Sequence, residues 1–165
     1  MAELTQARLR ELLNYNPETG VFTWRLKPCD RIAAGMVAGG EGGRGYSQIC
    51  IGRTRYQSHR LAWFYVYGEW PIHQIDHINL DRADNRIANL REATPSQNGS
   101  NRKSSPKTSN PLKGANWDKR KKNWVARICI DRRVICLGRF KTAEQAHDAY
   151  MQAARKLFGE FARAD

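Results

Sequence analysis

An acid directly followed by an imidazole, Asp76-His77, opens the stretch IDHINLDRADNRIANLREATPSQNGSNR between Ile75 and Arg102. An Asn-rich loop follows it, and an amide, Asn98, sits just inside a helix start. Singly, each residue has an ordinary structural use. In this order they suit hydrolysis of a phosphodiester bond with one bound cation. Carboxylate and amide oxygens are hard donors that fit Mg²⁺ or Mn²⁺. A neutral histidine is a suitable general base for a water molecule. On a strand Asp76 and His77 point to opposite faces, so His77 reaches a cation-adjacent water only if the strand bends. Asn89 can hold the loop through backbone hydrogen bonds. Arg102, one turn beyond Asn98 on the same helix face, can hold a phosphate.

The elements that must position these groups can be read locally. Gln74–Ile78 alternates and is too short for a helix, which predicts a strand. Asn79–Arg86 is polar and predicts a loop. Ile87–Arg91 can return as a second strand. Thr94-Pro95-Ser96-Gln97 carries an N-cap, a first-turn proline and a capping-box Gln, which predicts a helix start.

The pieces "IDHIN", "DNRIANL" and "PSQN" resemble an HNH (His-Me finger, ββα-metal) endonuclease of the kind common in phage and intron-encoded homing and nicking enzymes. The resemblance implies a catalytic pair, His77 as general base and Asn89 as loop brace. It implies one divalent metal, Mg²⁺ or Mn²⁺, on Asp76 and Asn98. The third motif position is Asn98 rather than His, which this subgroup accepts. The pieces "YNPETGVFTWR", "HRLAW" and "YGEWP" resemble the segment that precedes the core in phage members, and this puts His59 near the site. The nuclease module is expected over 1–102, with its core over 57–102.

Net charge is +12, with 28 Lys and Arg against 16 Asp and Glu. Residues 1–102 carry net +3 and residues 103–165 net +9. Such a balance implies a polyanionic partner, nucleic acid before membrane. The four cysteines, 29, 50, 129 and 136, form no Cys-x-x-Cys pair, which argues against structural zinc and for free thiols in a reducing compartment. No signal peptide or apolar span of about 20 residues is read. The protein is expected to be cytoplasmic, in a phage-infected or prophage-bearing cell, and not secreted.

Before the core, Thr5 can cap a helix running to about Asn14. Val21–Leu26 predicts a half-buried strand with Phe22, Trp24 and Leu26 on one side. The six glycines in 35–45 lack the spacing of a phosphate-binding loop, so nucleotide binding is not expected. Tyr46–Ile51 and Arg53–Ser58 predict a hairpin about Gly52-Arg53. His59–Tyr67 predicts a buried helix with Leu61, Trp63, Phe64 and Val66 inward. His73 is given no role.

Residues 103–112 are Ser-, Pro- and Lys-rich and read as a basic linker. Beyond them, Trp124–Ile130 alternates, Asp131-Arg132 predicts a turn, and Val134–Leu137 returns. Thr142–Gln145 is a second capping box. It opens a helix with Ala146, Ala149, Tyr150, Ala153 and Leu157 on one face and Gly159 at its end. Trp124, Ala126 and Ile128 share the greasy side of a three-stranded sheet, and Arg127 points the other way. "GANWDKRKKNWVARI" and "LGRFKTAEQAHDAYMQAARKLFGEFAR" resemble the ethylene-response-factor (APETALA-type) DNA-binding domain, over 113–165. That family reads the major groove with its sheet. Gly114-Ala115-Asn116 replaces its usual Gly-Val-Arg, and Cys136 stands where Trp is common, so base preference does not transfer. Lys119, Arg120, Lys121, Lys122, Arg127, Arg132 and Arg133 are the candidate DNA contacts, mostly to phosphate.

Together these readings predict an α+β protein. A ββα-metal HNH nuclease module is followed by a three-stranded antiparallel sheet packed on one helix. The partner is double-stranded DNA, with no membrane and no small-molecule cofactor, and the protein acts as a monomer or a DNA-templated dimer. One alternative is a DNA-binding regulator with a non-catalytic HNH scaffold. Another is an RNA-directed nuclease or maturase.

Overall fold

The computed structural model describes residues 4–102 and 112–164. The linker expected over 103–112 therefore lies almost wholly outside the described residues. By contacts the chain forms two compact units, Met1–Glu92 and Ala93–Asp165. None of the described helices is long and apolar enough to cross a membrane.

In the first unit, α1 (Gln6–Leu12) starts at Thr5, whose hydroxyl accepts from the Arg8 amide. The helix stops two residues short of Asn14. Leu13–Tyr15 leaves as β1 and pairs antiparallel with β2 (Phe22–Trp24), setting Leu13 opposite Trp24 and Tyr15 opposite Phe22. All four side chains are buried, so sheet pairing overrides helical continuation here. The predicted strand over Val21–Leu26 is correspondingly shorter, and Leu26 is 52% exposed rather than on its inner side.

Strands β3 (Gly40–Glu41), β4 (Ser47–Ile51) and β5 (Thr54–Gln57) form an antiparallel sheet in that order. Gly52, at φ +63°, turns the hairpin between the last two. Helix α2 (Ser58–Tyr67) follows at once and ends at Gly68 in the left-handed region. It buries Leu61, Ala62 and Phe64; Trp63 is only partly buried, and Val66, expected inward, is exposed. Phe64 stacks on Trp70 at 4.3 Å. Leu9, Leu13, Phe22, Ile49, Leu61, Ile75 and Leu90 belong to one core, so α1, β1, β2, β4, α2, β6 and β7 share the same apolar interior.

Strand β6 (Gln74–His77) pairs with β7 (Leu90–Ala93). The second strand expected over Ile87–Arg91 begins only at Leu90. Ile87–Asn89 is a turn of 3₁₀ helix, with the Asn89 amide donating to Arg86 O at 2.9 Å. The Asn89 side chain is committed to the loop, and the backbone coils to bring it there.

The second unit begins with α3 (Pro95–Asn101), opened by a complete capping box between Thr94 and Gln97 and by Pro95 in its first turn. Strands β8 (Ala115–Asp118), β9 (Asn123–Ile130) and β10 (Arg133–Phe140) form an antiparallel sheet in the order β10-β9-β8, with α4 (Ala143–Phe158) packed on one face. Asp131 and Arg132 make a two-residue turn with φ of +48° and +67°. Positive φ at both positions matches the twist of the flanking strands. Ala115, Ala126 and Ala146 meet in one small-residue contact, and Ile128, Tyr150, Met151, Ala154 and Phe158 share a larger cluster. A side chain on Gly114 would run into the Tyr150 ring. Trp124 is only half-buried, and Leu157, expected on the inner face of α4, is exposed. At the start of α4, Gln145 accepts from the Lys141 amide and not from Thr142, so the second capping box is only half made.

Candidate active site

His77 closes β6, and Ile75, Asp76 and His77 are all buried. The chain then turns: the Leu80 amide donates to His77 O at 3.0 Å, and Leu80 takes φ +67°. Nε2 of His77 lies 3.2 Å from Asn85 Oδ1. Burial pushes the His77 pKa down against the opposing pull of the Asn85 hydrogen bond and the nearby aspartates, which favours the neutral imidazole a proton acceptor needs.

His59, in the first turn of α2, packs its ring edge-to-face on His77 with centroids 5.2 Å apart. Tyr46 sits 5.3 Å from His59 and 6.0 Å from His77, with the Arg82 guanidinium over its ring at 4.9 Å. His59 is 8% exposed, and its buried Nδ1 has no protein partner. Burial first, then the neighbouring His77 and Arg60, drop its pKa to about 3. Two neutral imidazoles therefore share this corner at neutral pH.

Asp76 Oδ2 accepts from Arg91 Nε on β7 at 3.0 Å, inside the unit. Asn89 ties the loop together. Its Oδ1 accepts from the Asn79 amide at 3.0 Å, and its Nδ2 donates to Asn79 Oδ1 at 3.0 Å and Asp84 O at 2.9 Å. Its own carbonyl accepts from the Ile78 amide at 2.9 Å. Asn79 Nδ2 also reaches Asp84 Oδ2, and Arg86 bonds the same carboxylate, whose pKa falls to about 2. A 12-residue polar excursion between two strands is thus closed mainly by side-chain amides.

Asn98 lies within α3, in the second unit, and is partly buried. Arg102 is not on that helix. It is the C-cap, with extended backbone, so the expected common face with Asn98 does not form. The helix ends one residue earlier, and the Arg102 carbonyl instead accepts from Lys113 Nζ at 2.7 Å.

Among the described residues no three His, Cys, Asp or Glu side chains gather as a cation site. The donor chemistry nonetheless fits a small hard cation. Mg²⁺ is commonly held by one or two protein oxygens, with water and phosphate completing the shell. Within the first unit Asp76 offers a buried carboxylate to such an ion, and the orphaned Nδ1 of His59 is a further buried polar atom beside His77. All four cysteines are free and exposed.

In the second unit, Lys119, Arg120, Lys121 and Lys122 form the exposed turn between β8 and β9, organised by Asp118 accepting from the Arg120 and Lys121 amides. Arg127 and Arg132 are exposed. The register separates Arg133 from Arg127. Arg133 pairs with Ile130, on the side of Ala126 and Ile128, whereas Arg127 pairs with Cys136 on the opposite face. That opposite face also holds Arg139, bridged to Asp118 at 3.0 Å, and the buried Val125, so it is less uniformly basic than the alternation suggested.

Sequence reasoning missed Asn85, Ser47, Tyr15 and Arg91. Asn85 read as one more loop amide, and only its tertiary neighbours mark it. Arg91 did carry a signal: it lies on the return strand, where a cation beside the Asp76 strand has a carboxylate to meet.

Neither the curated proteins nor the solved structures compared with this chain match it. Residues 56–100, which run from β5 through α2, β6 and β7 into α3, match the family model of the HNH endonuclease, and that match supports nuclease activity.

Proposed function

We propose that the protein is a metal-dependent DNA endonuclease that hydrolyses a phosphodiester bond with His77 as general base. His77 takes a proton from a water molecule as that oxygen bonds to phosphorus, and the bond from phosphorus to the leaving oxygen breaks. Asp76 and Asn98 would hold one divalent cation, Mg²⁺ or Mn²⁺. When bound, such an ion stabilises negative charge on the phosphate and the leaving oxygen. Asn89 braces the loop that presents His77. His59 shields the ring from solvent and helps keep it neutral. The observation that carries the reading is the burial of a neutral imidazole, hydrogen-bonded through Nε2, at the end of β6 within the matched segment.

The second unit acts as the DNA-binding part, in the manner of the ethylene-response-factor domain. Lys119–Lys122, Arg127 and Arg132 meet phosphate, with Arg102 and Arg133 at its margins. A monomer carries one site and nicks one strand; a double-strand break takes a DNA-templated dimer or two events. A phage or mobile element is the setting that suits such an enzyme. The test is a supercoiled-plasmid assay with Mg²⁺, with Mn²⁺ and with chelator. Metal-dependent relaxed product is expected. Binding without cleavage under any divalent metal favours a regulator instead, and cleavage confined to matched RNA substrates an RNA-directed enzyme.

A further inference from the structure

Asn85 stands between His77 and three N-terminal elements. Its Oδ1 is 3.2 Å from His77 Nε2, while its Nδ2 is 3.1 Å from Ser47 Oγ and 3.2 Å from Ala83 O. A backbone carbonyl can only accept, so the group that faces Ala83 must be the amide NH₂. This settles which way the amide is turned, a choice that has to come from its partners. The atom facing His77 is then an acceptor, and Nε2 must carry the N–H. A neutral imidazole has one N–H, so its lone pair resides on Nδ1.

We propose that Asn85 is the positioning residue of the site: it fixes His77 in the Nε2–H tautomer and so makes Nδ1 the nitrogen that takes the proton from water. The proposal rests on the reading of His77 as the base.

Asn85 is itself held from three sides. Tyr15 Oη, on β1, donates to the Asn85 carbonyl at 2.7 Å. Ser47 on β4 meets its amide. Gly20, at φ +72°, lies so close that a Cβ there would sit 2.5 Å from both Asn85 C and Arg86 N. The bare backbone at residue 20 lets the Tyr15–Gly20 turn seat against the loop. None of these three residues is in the segment 56–100 that matches the HNH model. The N-terminal "YNPETG" stretch thereby acquires a task in the chemistry, the support of one amide behind one ring.

The test uses the full chain labelled with ¹⁵N-histidine and a long-range ¹H–¹⁵N correlation at neutral pH, read beside plasmid cleavage. His77 is expected to carry its proton on Nε2 in the wild type. Asn85→Ala should move it to a mixture or to Nδ1 and lower kcat roughly a hundredfold with KM for DNA unchanged, as befits a misplaced base. Asn85→Asp keeps an acceptor at Nε2, so it should retain that proton and cut faster than the alanine variant. A folded Asn85→Ala protein with unchanged tautomer and kcat overturns the proposal. If that variant does not fold, Asn85→Asp decides, and loss of the Nε2 proton there overturns it equally. The two readings fail separately. Cleavage by a wild type whose His77 is Nδ1–H sinks the tautomer assignment and spares the nuclease. An Nε2–H His77 in a protein that cuts nothing with Mg²⁺ or Mn²⁺ supports the hold of Asn85 on the ring and sinks the nuclease.

Discussion

The Asp76 carboxylate lies 3.0 Å from the Arg91 guanidinium, with the two side chains only 4% and 11% exposed. A pair this deep is costly to break from one side, because the survivor keeps its charge out of water. Arg91→Ala should destabilise the fold by about 3 kcal/mol in urea melts. Arg91→Met, which fills the space, should fall between it and the wild type. Equal stability of all three proteins would mean that the pair is solvated in solution.

His77→Ala should lower the plasmid-cleavage rate by a factor of about 10² to 10⁴, the usual worth of a general base. DNA affinity in a gel-shift titration should stay within a few-fold. Cleavage at the wild-type rate would remove His77 from the chemistry.

His59 gives a pH dependence with a definite sign. Its folded pKa is depressed to about 3 from an ordinary value of 6.5. Between those values the unfolded chain binds a proton that the folded chain refuses, so stability is lost as pH falls through about 6.5 and continues to fall toward 3. At pH 5 the loss relative to pH 7 should approach roughly 2 kcal/mol. Burial of His77 adds in the same direction. Chemical melts of the wild type and His59→Phe at pH 7 and 5 measure it, and the variant should show the smaller drop.

The turn Lys119–Lys122 concentrates four cations on exposed backbone. If they meet phosphate, replacing all four with alanine should flatten the log Kd against log salt slope by up to about 3.5, or roughly 0.9 per lost contact. Folding should be unaffected, since none of the four is buried. An unchanged slope would place the DNA elsewhere.

The residues carrying local signals were legible. Thr5, Thr94 with Gln97, the Gly52 turn and the Asp131-Arg132 turn all act through neighbours three or four positions away, and their elements appear where those neighbours put them. Failures occur where a distant partner decides. Leu13 leaves its helix because Trp24 is across from it. Arg102 leaves α3 by geometry that no spacing encodes. The candidate site divides likewise. Asp76, His77, Asn89 and Asn98 form a motif readable in one stretch. Asn85 gains meaning only from Tyr15, 70 residues away, and Ser47, 38 residues away.

Helix α3 carries Asn98 yet packs within the second unit. Ser96 Oγ donates to Asp131 Oδ1 at 3.0 Å and accepts from the Asp131 amide at 2.9 Å, and Lys113 bonds the Ser100 carbonyl. Swapping the second unit at the linker, as one would graft a new head onto a modular enzyme, therefore parts α3 from the sheet it packs on, and with it Asn98, the residue proposed to hold the cation. Chimeras that retain their own α3 with their own sheet should inherit a working cutter, while those joined between the two should inherit a crippled one.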